Sequence, residues 1–326
     1  MNPKLSDVAK RAGVSVTTAS RVINNRGYIS QKTKKAVFLA MKELHYQPNS
    51  SARSLKGKHN NLIGLIFPTI TNPFFGELVE KIESKLFEAG YKVILCNSVN
   101  NSQKEKEYLQ MLNANQVDGI IAGTHNQGIK EYASLDLPIV SFDRKLSTNI
   151  PIISSDNYQG ALLASASLYR AKCRKIFFLG NQEIVGNPTD LRLKGYKDSM
   201  KKFNLKENIW PVRFSESPSI KALLIRELLQ KKEADGIICT DDLTAIQVIN
   251  AASSLSISIP EDLKVIGFDG TSFIQTYFPG LSTIIQPIDD LSSLLVETLK
   301  TRIDNPEQKV SNHVLPVSLL SRDSTE

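Results

Sequence analysis

Residues 5–24 read LSDVAKRAGVSVTTASRVIN, and this stretch predicts two short helices joined by a tight turn. Leu5, Val8 and Ala9 have the spacing of the apolar face of a first helix. Gly13 suits the left-handed conformation in which many helices end, so a second helix can begin directly after it. The pattern is typical of a helix-turn-helix unit.

The outer face of the second helix carries small side chains that can form hydrogen bonds. Ser15 suits its N-cap, and Ala19, Val22 and Ile23 give it an inward apolar face. The outward residues are Val16, Thr17, Thr18, Ser20, Arg21 and Asn24. Such a face is narrow enough for a DNA major groove and offers donors to base edges and phosphates. The alternative is an ordinary helical hairpin with a solvated face.

Basic residues are concentrated at the N-terminal end of the chain. Residues 1–60 hold twelve Lys or Arg against two acids, a net charge of +10, whereas the remainder holds 28 bases and 31 acids. A basic head on a nearly neutral body indicates that the head meets a polyanion, either nucleic acid or an anionic membrane surface. No apolar run approaches the ~20 residues of a spanning helix, and the polar N-terminus predicts no signal peptide. We therefore expect a cytoplasmic protein with no membrane partner.

The sequence offers little support for a metal site, a cofactor or an enzyme. Cys96, Cys173 and Cys239 lie far apart in or near apolar runs, which predicts reduced thiols, and the four histidines are scattered. No glycine-rich dinucleotide loop follows the first predicted strand, and no Walker or nucleophile-elbow motif is present. Asp241 and Asp242 are a paired-carboxylate candidate, but consecutive residues at a helix start usually point apart.

A third helix and a short polar segment follow the helix pair. Residues 31–44 have helical apolar spacing and complete a DNA-binding head of residues 1–47. Tyr28 lies at the loop tip before this helix, where a phosphate contact and plain exposure fit equally well. The segment 48–61, PNSSARSLKGKHNN, predicts about two helical turns at 50–56, which are marginal in water without a partner. A flexible linker fits the same composition.

From residue 62 onward, apolar strands alternate with amphipathic helices. Strands are predicted at 62–67, 92–96, 119–122, 138–142, 175–179, near 212, and at 236–239, 263–268 and 312–319, with a further stretch at 282–285. Helices are predicted at 73–89, 103–113, 158–170, 190–203, 220–231, 243–255 and 288–303. This alternation predicts an α/β fold of two doubly wound parallel lobes. The expected N-lobe is about 62–156 and 286–311, and the C-lobe about 157–285 and 312–326.

Polar and aromatic residues follow several of these strands, where a cleft between the lobes would lie. They are Asn72, Phe74, Phe75, Asp143, Arg144, Arg192, Asp241, Asp269 and Gln286. Carboxylates, guanidiniums and amides beside aromatic faces suit a polyhydroxylated ligand. Singly, each residue can also be explained as a helix cap, a surface ion pair or part of the core.

The chain resembles the LacI/GalR family of bacterial repressors over essentially its whole length. The specific motifs are DVAKRAGVSVTTASRVIN (7–24), AMKELHYQPNSSARSLKGK (40–58), IGLIFPTITNPFF (63–75), NQVDGIIAGTH (115–125), VSFDR (140–144), and VIGFDG (265–270) with LSTIIQP (281–287). The resemblance implies a helix-turn-helix head, a core similar to periplasmic sugar-binding proteins, and function as a sequence-specific transcriptional repressor.

The resemblance also implies roles for residues of the head and of the segment after it. Val16, Thr17 and Arg21 would lie at base edges, and Ser15, Thr18, Ser20 and Asn24 toward phosphates. Residues 50–56 of two subunits would pair in the minor groove, with Leu55 wedged into a base step and Ala52 and Lys56 beside the DNA. A homodimer on a near-palindromic operator is therefore expected.

For the core, the resemblance places a ribose-type sugar pocket on the nine cleft residues. Asp241 stands where that pocket often has an amide, which argues against ribose itself. The runs at 104–126, 143–160 and 315–320 look most like the sucrose operon repressors of low-GC Gram-positive bacteria. A sugar or sugar phosphate is the expected effector, with sucrose first. The alternatives are a global catabolite regulator that answers to a phosphorylated carrier protein and a ribose-type repressor.

Overall fold

The computed structural model describes most of the chain. The described residues are 3–24, 26–46, 60–99, 101–126, 128–182, 186–308 and 310–326. Two compact units are present, residues 1–60 and 61–326. The predicted helix at 50–56, with its DNA-binding candidates Ala52, Leu55 and Lys56, lies outside the described residues.

Three helices form the first unit: α1 (Leu5–Ala12), α2 (Val16–Ile23) and α3 (Gln31–Glu43). Gly13 ends α1 with φ of 66°, and the Ser15 hydroxyl accepts the Thr18 N–H at 3.1 Å. Both predicted signals therefore act as expected. The small core of the head consists of Val8, Ala9, Ala19, Val22, Val37 and Ala40.

The second unit alternates strands and helices. Its strands are β1 (Leu62–Phe67), β2 (Lys92–Asn97), β3 (Gly119–Ala122), β4 (Ile139–Phe142), β5 (Ile152–Ser155), β6 (Ile176–Gly180), β7 (Asn208–Pro211), β8 (Gly236–Cys239), β9 (Lys264–Asp269), β10 (Ser282–Ile285), β11 (His313–Leu315) and β12 (Ser318–Leu320). Its α-helices are α4 (Pro73–Glu88), α5 (Ser102–Ala114), α6 (Glu131–Ser134), α7 (Asn157–Arg170), α8 (Leu191–Lys202), α9 (Pro218–Gln230), α10 (Asp242–Ser254), α11 (Ser272–Tyr277) and α12 (Ile288–Asp304). A 3₁₀ turn, Pro188–Asp190, precedes α8.

Two six-stranded sheets organise these elements into two lobes. The first sheet has the order β11-β5-β4-β3-β1-β2 and is parallel throughout. The second has the order β12-β10-β9-β8-β6-β7, with β12 antiparallel to β10 and the other pairs parallel. Each sheet reverses its strand order beside its first strand, so both lobes are doubly wound, as predicted.

Both faces of each sheet are buried, because apolar residues occupy successive positions along the strands. In β1, Leu65 packs in the cluster that includes α4 and α12, whereas Ile66 packs on the opposite face with α5. In β8, Ile237 and Ile238 divide in the same way between the two clusters of the second lobe. Continuous apolar strands are what a parallel sheet covered by helices requires. No described helix is both long and apolar enough to cross a membrane.

The C-terminal segment departs from the predicted pattern. Residues 312–319 were expected as one strand of the C-lobe, but they form β11 in the first sheet and β12 in the second. Pro316 separates them, because proline lacks the N–H that a continuous ladder needs. Residues 313–315 therefore belong with the N-lobe. The structure also adds β5, which the sequence pattern misses because its four residues include only two apolar side chains.

A buried carboxylate organises the loop after β3. Glu105 of α5 has no exposed surface and accepts hydrogen bonds from Asn126 Nδ2 at 2.7 Å and Tyr132 Oη at 2.6 Å. It also accepts a short hydrogen bond from the Thr124 hydroxyl. A carboxylate that only accepts is well matched to these donors, so Glu105 fixes the positions of Thr124, Asn126 and Tyr132.

We expect Glu105→Gln to lower the free energy of unfolding by about 1–3 kcal/mol, because the glutamine NH₂ would face donors and leave one unsatisfied. Urea unfolding of the full chain measures this loss. Glu107→Gln is the matched control, since Glu107 is exposed on the same helix and, within the described part of the chain, accepts only from Gln103 at 3.2 Å. Equal stability of the two variants would contradict the role given to Glu105.

Candidate functional site

A pocket lies between the lobes, at the carboxyl ends of the strands. All nine residues predicted for the effector site line it: Asn72, Phe74, Phe75, Asp143, Arg144, Arg192, Asp241, Asp269 and Gln286. We call this the inner pocket. Its other lining residues are Gly123, His125, Phe142, Thr189, Phe214 and Thr240. The structure therefore brings the predicted set together, and the role of each residue in binding remains a prediction.

Aromatic rings form one wall of the inner pocket. Asn72 caps α4 by accepting the Phe74 N–H at 2.9 Å, which orients the start of the helix toward the cleft. Phe74 lies with its ring centroid 5.4 Å from that of Phe75 and 5.7 Å from that of Phe142. Both predicted phenylalanines are at once pocket lining and part of the buried core, so the two interpretations are not exclusive.

A chain of hydrogen bonds joins the two lobes behind the pocket. The Asn157 amide donates to Asp143 Oδ1 at 3.1 Å, and its carbonyl accepts from Arg192 Nε at 2.6 Å. Arg192 also donates through Nη1 to the Thr240 carbonyl at 2.5 Å, and its guanidinium lies 3.5 Å from the Phe268 ring centroid. Asp143 adopts φ of 53°, which turns its side chain sharply off the end of β4.

The two consecutive acids at the start of α10, the N-cap Asp241 and the first helical residue Asp242, have different roles. Asp241 is the N-cap of the helix, since it accepts the Thr244 N–H at 2.7 Å. It also lines the inner pocket, and its Oδ2 lies 3.8 Å from Lys221 Nζ. Asp242 is buried in the opposite direction, where it accepts from Gly270 N–H at 2.8 Å and from the Thr283 hydroxyl at 2.6 Å. The pair therefore does not form a shared acid/base site.

Gln286 links the ends of two strands, β5 of the first sheet and β9 of the second. Its Oε1 accepts from the Ser155 hydroxyl at 2.7 Å, and its Nε2 donates to Asp269 Oδ1 at 2.7 Å. Ser155 ends a strand of the first sheet and Asp269 ends a strand of the second. The amide therefore fixes the Asp269 carboxylate relative to both lobes.

His125 and Phe214 were not among the predicted site residues. The His125 ring lies 4.2 Å from that of Phe214, which comes from the other lobe, and its Nε2 is 2.6 Å from Arg144 Nη2. Because a guanidinium only donates, that nitrogen of His125 must accept, so the imidazole is neutral. Burial, with Arg144 nearby, holds the His125 pKa well below its ordinary value. His125 lies just after β3, at the pocket edge of the sheet. The four histidines are scattered in the sequence, which is why this position was not predicted.

Burial dominates the electrostatics of the inner pocket. It raises the pKa of Asp143 to about 6, against the opposing effect of Arg192 and Arg144, and it raises the pKa of Asp269 well above the ordinary value. Burial likewise lowers the pKa of Arg144 to about 10. Ionised carboxyl groups accept hydrogen bonds from hydroxyls and protonated ones also donate, so the arrangement suits binding of a neutral polyol.

The head presents its predicted DNA-contact residues at the surface. On α2, Val16 is about half exposed (49%), and Thr17 and Arg21 are also exposed, whereas Ala19 and Val22 are buried. Asn24 donates to the Ser20 carbonyl at 2.8 Å, so part of its amide serves to end the helix. Ser15 and Tyr28 are exposed, and Thr18 and Ser20 are partly so. The predicted outward face is therefore available to a ligand of the head.

A helix-turn-helix head joined to a two-lobed core with a polar cleft defines a DNA-binding regulator that responds to a small ligand. Two family models match the chain: the bacterial regulatory proteins of the lacI family over residues 4–49, and the periplasmic binding protein-like domain over residues 166–325. The chain is 52% identical over 321 residues to the sucrose operon repressor of Pediococcus pentosaceus, covering 98% of each. It belongs to the LacI family of bacterial regulatory proteins, as the sequence motifs predicted.

Two solved structures agree with this assignment. A lac repressor dimer bound to operator and the anti-inducer ONPF superposes with a TM-score of 0.86 at 26% identity, covering 100% of this chain and 99% of that one. A regulator from Alkaliphilus metalliredigens complexed with D-xylulofuranose superposes with a TM-score of 0.74 at 34% identity, covering 82% and 99%. The described residues contain no cluster of three or more His, Cys, Asp or Glu that could hold a metal ion.

The raised pKa of Asp143 predicts a pH-dependent stability. The folded protein keeps the Asp143 proton up to about pH 6, whereas the unfolded chain loses it near pH 4, so this stabilisation is present below pH 4 and is lost as pH rises to about 6. We expect the free energy of unfolding of the parent chain, relative to Asp143→Asn, to fall by about 1–3 kcal/mol across this window.

Urea unfolding of both proteins between pH 4 and 8 measures this difference. Above about pH 6 the difference should be constant. A difference that instead grows as pH rises through the window would show that ionised Asp143 is favoured by its arginine neighbours and would contradict the dominance of burial.

Proposed function

We propose that this protein represses a sugar-utilisation operon, with sucrose metabolism as its target, by binding a palindromic operator as a homodimer in the cytoplasm. The observation that carries the proposal is that nine residues predicted for a sugar site line one pocket in a chain that also has a helix-turn-helix head. The similarity to a sucrose operon repressor at 52% identity supports sucrose. Its activity is regulated binding rather than catalysis.

DNA recognition is assigned to the outer face of α2. Arg21 can form two hydrogen bonds with a guanine edge, and Val16 can contact a thymine methyl group. Each head offers one such helix, which reads about half of an operator. Two heads related by a two-fold axis read inverted half-sites, which is why a dimer is proposed. The lac repressor structure named above is described as a dimer bound to operator.

Ligand recognition is assigned to the inner pocket. Asp143, Asp241 and Asp269 can each accept hydrogen bonds from neighbouring sugar hydroxyls, and Arg192 can donate to ring or hydroxyl oxygens. Phe74 and Phe75 offer apolar surface to the C–H face of a ring. The sugar complex of the A. metalliredigens regulator supports a sugar as the ligand class.

The coupling between sugar and operator requires that the ligand distinguish two arrangements of the lobes. Arg144 donates to Thr189 across the cleft at 2.8 Å, and Arg192 joins the crossover residue Asn157 to the second lobe. A ligand that contacts both lobes stabilises their closed arrangement. DNA and sugar affinities must then change by the same factor, typically about 1–3 kcal/mol of coupling. A sugar with equal affinity for both arrangements would change nothing.

The second candidate is a global catabolite regulator of the same family, which would answer to a phosphorylated carrier protein. Binding to many operators across a genome, rather than to one, would favour that candidate. A ribose-type repressor is disfavoured by Asp241, since a carboxylate replaces the amide expected in a ribose pocket.

Arg21→Ala should remove discrimination at one base pair of each half-site, by about 1–3 kcal/mol, because its guanidinium is assigned to a base edge. Gel shifts with operators substituted at each position measure the loss. Arg26→Ala removes the same charge from the loop after α2 and should change affinity for all sequences by one factor. Unchanged sequence preference in the Arg21 variant would refute the assignment.

Arg192→Lys should raise the sucrose concentration needed to release operator by roughly tenfold or more, since lysine keeps the charge but loses the bidentate and stacked geometry. Arg174→Lys is the matched control, because Arg174 also stacks on a ring, that of Tyr169 at 4.3 Å, but is exposed and does not line the cleft. Fluorescence anisotropy of labelled operator during a sugar titration measures both. A normal response of Arg192→Lys would exclude the inner pocket as the effector site.

A further inference from the structure

A second pocket adjoins the inner pocket and is absent from the predicted site. The two share His125 and Arg144, and the second continues outward past Asn126, Lys130, Lys145 and Asn187. We call it the outer pocket. Because His125 and Arg144 belong to both walls, a ligand that fills the inner pocket can extend past them without leaving the cleft.

The two pockets differ in their charged side chains. The inner pocket is lined by the carboxylates of Asp143, Asp241 and Asp269, with Arg144 and Arg192 as its cations. The outer pocket is lined by three cations, Lys130, Arg144 and Lys145, and no Asp or Glu is among its described lining residues. A negatively charged group is therefore disfavoured beside the inner carboxylates and favoured beside the outer cations.

Three carboxylates lie near the outer pocket, and each is engaged elsewhere. Asp190, whose charge acts on Arg144, accepts the Asn187 N–H at 2.8 Å. Glu105 lies buried behind Asn126 and Tyr132 and accepts hydrogen bonds from both. Glu131 pairs with Lys106 at 3.1 Å. Neither Glu105 nor Glu131 pairs with Lys130 or Lys145 in the described structure, so these glutamates leave both ammonium groups available for an anion.

Arg144 is placed to bind at the junction of the pockets. Its described hydrogen bonds to the Asp143 carbonyl, the Thr189 hydroxyl and His125 use three of the five N–H groups of the guanidinium. The backbone N–H of Lys145 donates to Asn187 Oδ1 at 3.1 Å, which fixes the neighbouring loop against the second lobe. The remaining N–H groups of Arg144 can therefore meet an oxygen anion at a rigid position.

We propose that the effector is a phosphorylated sugar, with its sugar ring in the inner pocket and its phosphoryl group in the outer pocket beside Arg144, Lys130 and Lys145. This inference rests on the proposed function, and it chooses between the neutral and phosphorylated sugars that the inner pocket alone leaves open. The dianion finds three cations and two amides there, and the neutral hydroxyls find carboxylate acceptors.

The test compares two ligand pairs on the full-length protein by isothermal titration calorimetry: sucrose with sucrose 6-phosphate, and fructose with fructose 6-phosphate. The phosphorylated member of at least one pair should bind roughly tenfold or more tightly than its neutral partner. That advantage should shrink as salt rises, because Lys130 and Lys145 are exposed and their charges are screened. Inorganic phosphate alone should bind more weakly than the preferred ester.

The double variant Lys130→Gln/Lys145→Gln should lose most of the advantage of the ester and keep the affinity for the neutral sugar. Lys201→Gln/Lys202→Gln removes the same charge from the exposed last turn of α8, outside both pockets, and should keep the advantage. Operator binding without ligand checks that each variant is folded.

Several results would overturn the inference. Equal affinities within both pairs, an advantage that survives in the Lys130/Lys145 variant, or inorganic phosphate binding as tightly as the ester would each do so. The proposed function is judged separately by operator release. If neutral sucrose releases operator but the ester has no advantage, only the phosphoryl site is refuted. If neither the sugars nor their phosphates change operator binding, the sugar-controlled repressor itself is refuted.

Discussion

The buried guanidinium of Arg192 is the interaction on which the cleft depends. It is one of the few positive charges among the carboxylates where the two sheets meet, and it favours the ionised forms of Asp143, Asp242 and Asp269 against the effect of burial. The same burial lowers the pKa of Arg192, and the nearby acids oppose this shift by raising it. A buried charge without a partner costs several kcal/mol, so the loss of Arg192 or of its acidic partners would destabilise the charged groups that remain. Phe268 provides the flat face on which the guanidinium rests.

This arrangement explains why the site joins the lobes rather than belonging to one of them. Arg192 begins the second lobe's helix α8, yet it reaches Asp143 of the first lobe through Asn157 at a crossover of the chain. Gln286 makes the equivalent link at another crossover. A ligand that bonds to these side chains therefore acts on residues whose positions depend on both sheets. Ligand binding and the relative position of the lobes are thereby linked.

Much of the site was predictable because parallel strands place the residues that follow them at one edge. This rule alone located Asp143, Asp241 and Asp269. The family resemblance then supported their assignment to a sugar pocket. His125, Phe214 and Thr240 follow strands too, but a lone histidine, a lone phenylalanine and a threonine carry no chemical signal in sequence. The different roles of Asp241 and Asp242 depend on the helix cap, which sets where each carboxylate points. The split of residues 312–319 between two sheets depends on tertiary pairing that no local pattern records.

The charge distribution along the whole chain determines where anionic ligands are attracted. Residues 1–60 carry +10 and the remaining residues −3, so long-range attraction brings DNA to the N-terminal end of the chain and not to the core. An anionic ligand approaching the core therefore gains nothing from the net field and must be recognised by a local excess of cations. Within the described cleft that excess exists in the outer pocket and not beside the inner carboxylates. The position of the cations, rather than the overall charge, decides where an anion can bind, so DNA at the head and the proposed phosphorylated sugar in the cleft would occupy separate sites.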